Sequence, residues 1–201
     1  MTTLYYSPGA CSLADHIALT ESSTDYDLVK IDLKQKLTEA GDDYRSINPK
    51  GQVPALRLDS GDVLTENPVL LQYIADHAPQ SGLLPTSGIA RYHTLEWVNF
   101  ITTEVHKGFG PLFNPNTPAD YRTMVMGALA QKFAVLDAQL KAHPYVAGDA
   151  FTIADCYAYV MGRWAMGMKI DLSACPNFTA YFQRVGERPA VKEALAAEGL
   201  S

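Results

Sequence analysis

The run Thr3-Leu-Tyr-Tyr-Ser-Pro-Gly-Ala-Cys-Ser-Leu-Ala-Asp-His-Ile-Ala-Leu-Thr-Glu21 decides the fold. Thr3 to Ser7 favour a strand, Pro8-Gly9 ends it, and from Ala10 the apolar positions Leu13, Ile17 and Ala18 or Leu19 recur on one helical face. The order is strand, turn, helix. Cys11 falls at the junction, where unpaired backbone N–H groups converge. Such a position favours thiolate, because helix N-termini can lower a cysteine pKa from about 8.5 to roughly 3.5–7.5. The alternative for a lone cysteine is a small buried hydrophobe. No second cysteine stands at Leu13 or Ala14, so a redox cycle through Cys11 needs an external thiol.

Outward from this run, Val29, Ile31 and Leu33 alternate with Lys30 and Asp32, the period of a strand. Residues 34–48 are polar and predict a loop with a short helix. Pro49-Lys-Gly-Gln-Val-Pro54 is turn chemistry, and Ala55–Leu58 and Val63-Leu64 read as a hairpin about Asp59-Ser-Gly-Asp62. Thr65-Glu-Asn-Pro68 opens a helix towards His77. These elements predict an α/β first domain, residues 1–78, with a mixed four-stranded sheet and helices on its faces. A linker at 79–88, rich in Pro, Ser and Gly, precedes an all-α bundle at 89–201. In that bundle Leu95, Val98, Ile101 and Val105 mark one helix, and Val125, Leu129, Phe133, Leu136 and Leu140 a second. A third, from Ile153 to about Met168, is apolar nearly all round and predicts a buried centre. Shorter helices close the chain at Asn177–Gly186 and Ala190–Ala197.

Beyond Cys11, three groups could carry chemistry. Pro54 lies between a turn and a strand, where a cis Val53–Pro54 bond would turn the Val53 N–H and C=O towards a peptide-like ligand beside Cys11, while base rate alone favours an ordinary trans proline at a strand edge. Glu66-Asn67 sits at a helix start, suited either to capping or to a ligand carboxylate and ammonium. Asn99, Thr103 and His106, at i, i+4 and i+7, form a polar row beside an apolar stripe, as a cleft wall or an exposed interface does. Thr152-Ile-Ala-Asp155 has the form of a capping box, a structural device.

Composition narrows the function. The chain has 201 residues, 47% of them hydrophobic, and a formal net charge of −6. Such a chain can fill a core, and it lacks the basic excess that nucleic acid or an anionic membrane demands. No basic n-region or membrane-length apolar run occurs, which predicts a cytoplasmic protein without a membrane partner. Cys11, Cys156 and Cys175 are widely spaced and odd in number, which argues for a reducing compartment and against a Cys-rich zinc site. The five histidines form no metal-type pair near another good ligand, so no metal is expected.

Tyr6-Ser-Pro-Gly-Ala-Cys-Ser12, Asn48-Pro-Lys-Gly-Gln-Val-Pro-Ala-Leu56, Leu64-Thr-Glu66, Glu104-Val-His-Lys-Gly108 and Phe151-Thr-Ile-Ala-Asp155 occur in this order across nearly the whole chain. On these strings the sequence resembles the bacterial beta-class glutathione S-transferases. The resemblance implies a thioredoxin-like first domain that binds glutathione and a helical domain that shapes the electrophile pocket. It further implies that Cys11 faces the glutathione sulfur and can form a mixed disulfide, with Ser12 and His106 as polar neighbours. Lys36 would pair with the glycine carboxylate, Val53 would bond the cysteinyl backbone ahead of cis Pro54, and Glu66 with Asn67 would take the γ-glutamyl end. Asn99, Thr103 and Glu104 would approach from the helical domain of a homodimer partner. The family position matched by Asn67 is commonly Ser, which is a departure here. Tyr6 is a further candidate by comparison with classes that use a catalytic tyrosine, although the Pro-Gly-Ala-Cys-Ser string points away from that mechanism.

The leading expectation is therefore conjugation of glutathione thiolate to small hydrophobic electrophiles, a detoxification chemistry. Glutathione-dependent thiol transfer, peroxide reduction or reductive dehalogenation through a Cys11 mixed disulfide is the second, and a non-catalytic carrier of apolar ligands the third.

Overall fold

The computed structural model describes residues 2–200. It divides into two compact units: residues 2–86 with 188–200, and Ser87–Glu187.

In the first unit β1 (Thr2–Tyr6), α1 (Leu13–Glu21) and β2 (Tyr26–Asp32) form a crossover. The strands pair in parallel, Thr2 with Tyr26 through Tyr6 with Lys30, and α1 supplies the connection that parallel neighbours need. Leu4, Tyr5 and Tyr6 are all buried, as befits a central strand covered on both faces. β4 (Ala55–Arg57) runs antiparallel to β1, Tyr5 opposite Ala55, and β5 (Val63–Thr65) returns along β4. α2 (Asn67–His77) follows, with Pro68 in its first turn.

The sheet has five strands, in the order β3-β2-β1-β4-β5, where the sequence predicted four. β3 is Leu37–Thr38, inside the stretch expected to be loop and short helix. The Asp32 carboxylate accepts from the N–H groups of Lys34 and Gln35, at 2.8 and 2.9 Å. This turn folds the chain back, and Leu37 and Thr38 pair with Asp32 and Ile31. Only Tyr44–Ser46 forms a short 3-10 turn.

A second difference lies at the C-terminus, which was expected to complete the helical domain. α8 (Pro189–Ala197) packs on α1 and belongs to the first unit. Arg188 grips Glu21 with two nitrogens, at 2.6 and 2.9 Å. Glu198, 6% exposed, accepts from the Gly9 N–H at 2.9 Å and meets His16 Nδ1 at 2.9 Å. Helical periodicity at 190–197 correctly signals a helix, but it does not reveal which face of which domain receives it.

The second unit holds α3 (Gly88–Phe100), α4 (Gly110–Phe113), α5 (Ala119–Ala142), α6 (Ile153–Gly167) and α7 (Pro176–Gly186). α6 is the expected buried centre, with every residue from Ile153 to Gly162 buried. At its start the Asp155 carboxylate accepts from Val146 N–H, Thr152 N–H, the Thr152 hydroxyl and the Tyr181 hydroxyl, at 2.8–3.0 Å. Continuous α-helix through Val105 was expected, yet α3 gives way at Ile101–His106 to a π-helical turn. There the Thr102 and Thr103 hydroxyls bond the Val98 and Asn99 carbonyls, and the wider turn changes the angular spacing of everything that follows.

Candidate functional site

In the first unit the chain between β1 and α1 presents the thiol. The Ser12 hydroxyl closes this turn on Ser7, accepting from its N–H at 3.2 Å and donating to its carbonyl at 3.4 Å. Ser12 is fully buried, and both of these hydroxyl bonds go to the Ser7 backbone. Cys11, 9% exposed, donates its S–H to the Val53 carbonyl at 3.3 Å. The helix-start position led to an expectation of thiolate, and the structure reverses it. Burial, followed by the Asp15 charge, pushes the Cys11 thiol up to about 12, against the lowering effect of the Cys11 and Ser12 N–H groups. The dipole of a helix start is worth less than the desolvation of sulfur at a closed site.

The Val53–Pro54 bond is cis. The approach to it is pinned by Tyr44, whose hydroxyl donates to the Gln52 carbonyl at 2.9 Å, and by the Asn48 side-chain amide on the same oxygen at 2.7 Å. Tyr44 packs with Tyr5, Ile31, Val53 and Ala55, so the core of the sheet runs directly under the Val53 backbone. Lys36, at φ 62°, sends its ammonium to the Gly51 carbonyl at 2.8 Å. Gly51 itself has φ 62°, a left-handed conformation that glycine adopts without the strain of a side chain.

Glu66 stands at φ 76°, ψ 118° immediately before α2. A non-glycine residue in this region is costly and is kept where surroundings hold it. Its carboxylate is exposed and pairs with Lys50 at 2.5 Å, and Lys50 also reaches the Thr65 hydroxyl at 3.0 Å. Asn67, expected beside Glu66 as a ligand group, turns inward. It is 4% exposed, and its amide nitrogen donates to the Cys11 carbonyl at 2.9 Å and to Asp15 Oδ2 at 2.8 Å. Both of its N–H bonds are used inside the protein.

Cys11, Val53, Pro54 and Asn67 thus converge, with Lys36 reaching the neighbouring Gly51 carbonyl and Glu66 acting on the thiol through its charge. Tyr6 does not join them. Strand alternation puts Tyr5 on the Val53 side, while the Tyr6 ring lies 6.1 Å from His16 of α1 and feels the Glu198 charge. Sequence reading missed Lys50, Tyr44 and Asp15. The last was legible in principle, one helical turn after Cys11. Of the other two, Lys50 sits in a loop and Tyr44 in a three-residue 3-10 turn, where no periodicity announces their pairing.

In the second unit the expected polar row splits. Asn99 is exposed on α3, and Thr103 and Glu104 line a cleft of about 290 Å³ together with Lys107, Tyr121 and Lys132. Lys132 closes on the Glu104 carboxylate at 2.6 Å. His106 instead turns to α6, where Nδ1 meets the Tyr157 hydroxyl and the ring stands edge-on to Trp164 at 5.0 Å. The π turn accounts for the division, since it rotates His106 away from the line of Thr103.

Chemically, the first unit offers a proton-bearing thiol beside an accepting carbonyl, flanked by a cation at Lys36 and an anion at Glu66. This suits a zwitterionic, peptide-like ligand that carries a sulfur. Among the described residues no group of three or more His, Cys, Asp or Glu side chains could hold a metal ion. No helix among them is long and apolar enough to cross a membrane.

Comparison with known proteins agrees with this chemistry. Residues 10–77 match the family model for the glutathione S-transferase N-terminal domain, and residues 100–189 that for the C-terminal domain. Glutathione S-transferase GstA of Escherichia coli O157:H7 is 50% identical over 198 residues, covering 98% of each chain. A sphingomonad glutathione S-transferase solved in complex with glutathione is 47% identical, with a TM-score of 0.95 over 99% of this chain and 100% of that one. The beta-class enzyme of Sphingomonas chungbukensis is 44% identical, with a TM-score of 0.95 and the same coverage.

Proposed function

Because the chain belongs to the glutathione S-transferase family, and is a glutathione transferase with glutathione as its co-substrate, we propose that it joins the glutathione sulfur to small hydrophobic electrophiles in cytoplasmic detoxification. The observation that carries the reading is the Cys11 thiol hydrogen-bonded to the Val53 carbonyl beside cis Pro54. Glutathione lies along this edge, its cysteinyl backbone on Val53 and its sulfur towards Cys11. Lys36 faces its glycine carboxylate, and Glu66 takes the γ-glutamyl ammonium, exchanging its Lys50 contact for it. Asn67 acts from behind by holding the Cys11 carbonyl. Asn99, Thr103 and Glu104 are contributed by the second copy in a homodimer, and His106, on Tyr157, orients groups of the electrophile pocket.

The nucleophile for conjugation is the sulfur of bound glutathione. Cys11, with its thiol pushed up to about 12, holds its proton at neutral pH and does not compete. The glutathione thiolate forms the new S–C bond while the leaving group departs with its electron pair, and the site contributes orientation and charge stabilisation.

A second reading, glutathione-dependent thiol transfer, rests on Cys11 being a lone thiol at this edge. Its thiolate would attack the glutathione sulfur of a mixed disulfide between glutathione and a second thiol, forming the Cys11–glutathione disulfide and releasing that thiol as thiolate. A glutathione thiolate would then attack this disulfide, giving oxidised glutathione and restoring Cys11. One experiment separates the readings. Incubation with oxidised glutathione is expected to add one glutathione mass on Cys11, reversed by reductant, and Cys11→Ala is expected to lose that adduct while keeping conjugation of a halogenated aromatic within about threefold. Loss of conjugation in that variant makes Cys11 the catalyst and overturns the first reading. Absence of an adduct in the parent removes the second.

A further inference from the structure

Directly behind Cys11 lies a carboxyl group to which the transferase reading gives no task. Asp15 is fully buried in the first turn of α1, one helical turn after Cys11. Its Oδ2 accepts a single side-chain hydrogen bond, from Asn67 at 2.8 Å, and its Oδ1 has no partner. The same Asn67 nitrogen holds the Cys11 carbonyl at 2.9 Å. One amide therefore ties the carboxyl and the thiol-bearing backbone into a single unit. An under-satisfied carboxyl in a closed site is costly, and here it stands beside the residue whose protonation decides its reactivity.

We propose that Asp15, braced by Asn67, is a positioning residue that restrains Cys11 from giving up its proton. Burial raises the Asp15 carboxyl well above its ordinary range, and its charge follows burial as the next cause of the raised Cys11 thiol. Whichever group ionises first opposes the second. Three other titratable groups around them have partners, His16 through Nδ1 alone. Glu66 is matched by Lys50, Tyr44 is pushed up to about 12 and donates to Gln52, and His16, next to Asp15, is turned to Glu198 of α8. Tyr6, on β1, also faces His16. Asp15 is thus the unmatched acid behind the sulfur.

The inference concerns the free thiol and stands independently of glutathione. Its test is the pH profile of Cys11 alkylation by iodoacetamide, read on the Cys11 peptide by mass, from pH 6 to 10.5 in the full chain. In the parent the logarithm of the rate should climb with unit slope and no bend. In Asp15→Asn, which keeps an acceptor for Asn67 but removes the charge, the profile should move to lower pH by roughly two units and bend towards a plateau near pH 10. The rate at pH 7.5 should rise about tenfold, because the larger thiolate fraction outweighs its lower nucleophilicity. Coincident profiles overturn the proposal. So does a line lifted without a bend, the mark of a loosened structure. If the amide prevents folding, Asp15→Ser removes the same charge and is read by the same criteria.

Discussion

Asp15 and Asp155 occupy the same place in two helices, the third residue of α1 and of α6, and both are fully buried. Their surroundings differ. Asp155 accepts four hydrogen bonds, two from N–H groups and two from hydroxyls, and closes a capping box with Thr152. Asp15 accepts one from another side chain, Asn67, and the preceding Ser12 spends its hydroxyl on Ser7 instead of capping. Burial raises both carboxyl groups, Asp155 to about 6. A satisfied buried acid is an anchor, whereas an unsatisfied one is retained at some cost to stability. That the second kind lies beside Cys11 fits the general tendency of local rules to be broken at functional sites.

The largest expected effect tests the anchor. Asp155→Ala strands the Val146 and Thr152 N–H groups and the Tyr181 hydroxyl, and should lower unfolding free energy by about 3–5 kcal/mol in denaturant titrations, whereas Asp15→Asn should change it by less than about 1 kcal/mol. Equal losses would erase the distinction.

Next in size is an alkaline effect. Cys11 in the folded chain is raised to about 12 from an ordinary value of 9.0. The folded state therefore binds this proton more tightly than the unfolded chain does. The stability it contributes is full below pH 9 and is lost as pH rises towards 12. Cys11→Ala lacks this loss, so between pH 8 and 10.5 the parent should lose about 2 kcal/mol more than the variant. Parallel curves would mean that the thiol is not raised. The smallest effect sharpens the role of the brace, since Asn67→Ala frees the Cys11 carbonyl and Asp15 together and should cost about 1–2 kcal/mol in the same titration.

Much of this architecture was legible because periodicity carries it. β1, α1, β2 and the β4-β5 hairpin each span enough residues to show a period of 2 or 3.6, and α6 declared its burial by being apolar nearly all round. β3 was not legible, because two residues have no period, and its existence depends on the Asp32 turn. The site was legible as a set of positions and less so as orientations. Cys11, Val53 and Pro54 meet as expected, while Asn67 faces inward and His106 leaves its row, because an amide has two ways to point and a π turn leaves no signature in composition. The ionisation of Cys11 was misjudged for a quantitative reason. Helix position is visible in sequence, and the depth of burial that outweighs it is not.

The C-terminal tail has one more consequence. Gly9, at φ 70°, leads into Cys11, and it is held by Glu198 at 2.9 Å with the Leu200 side chain close by. The turn before Cys11 is therefore braced by a segment 189 residues away in sequence, and a cut directly after Ala197 would remove the brace while leaving every residue of α1 in place.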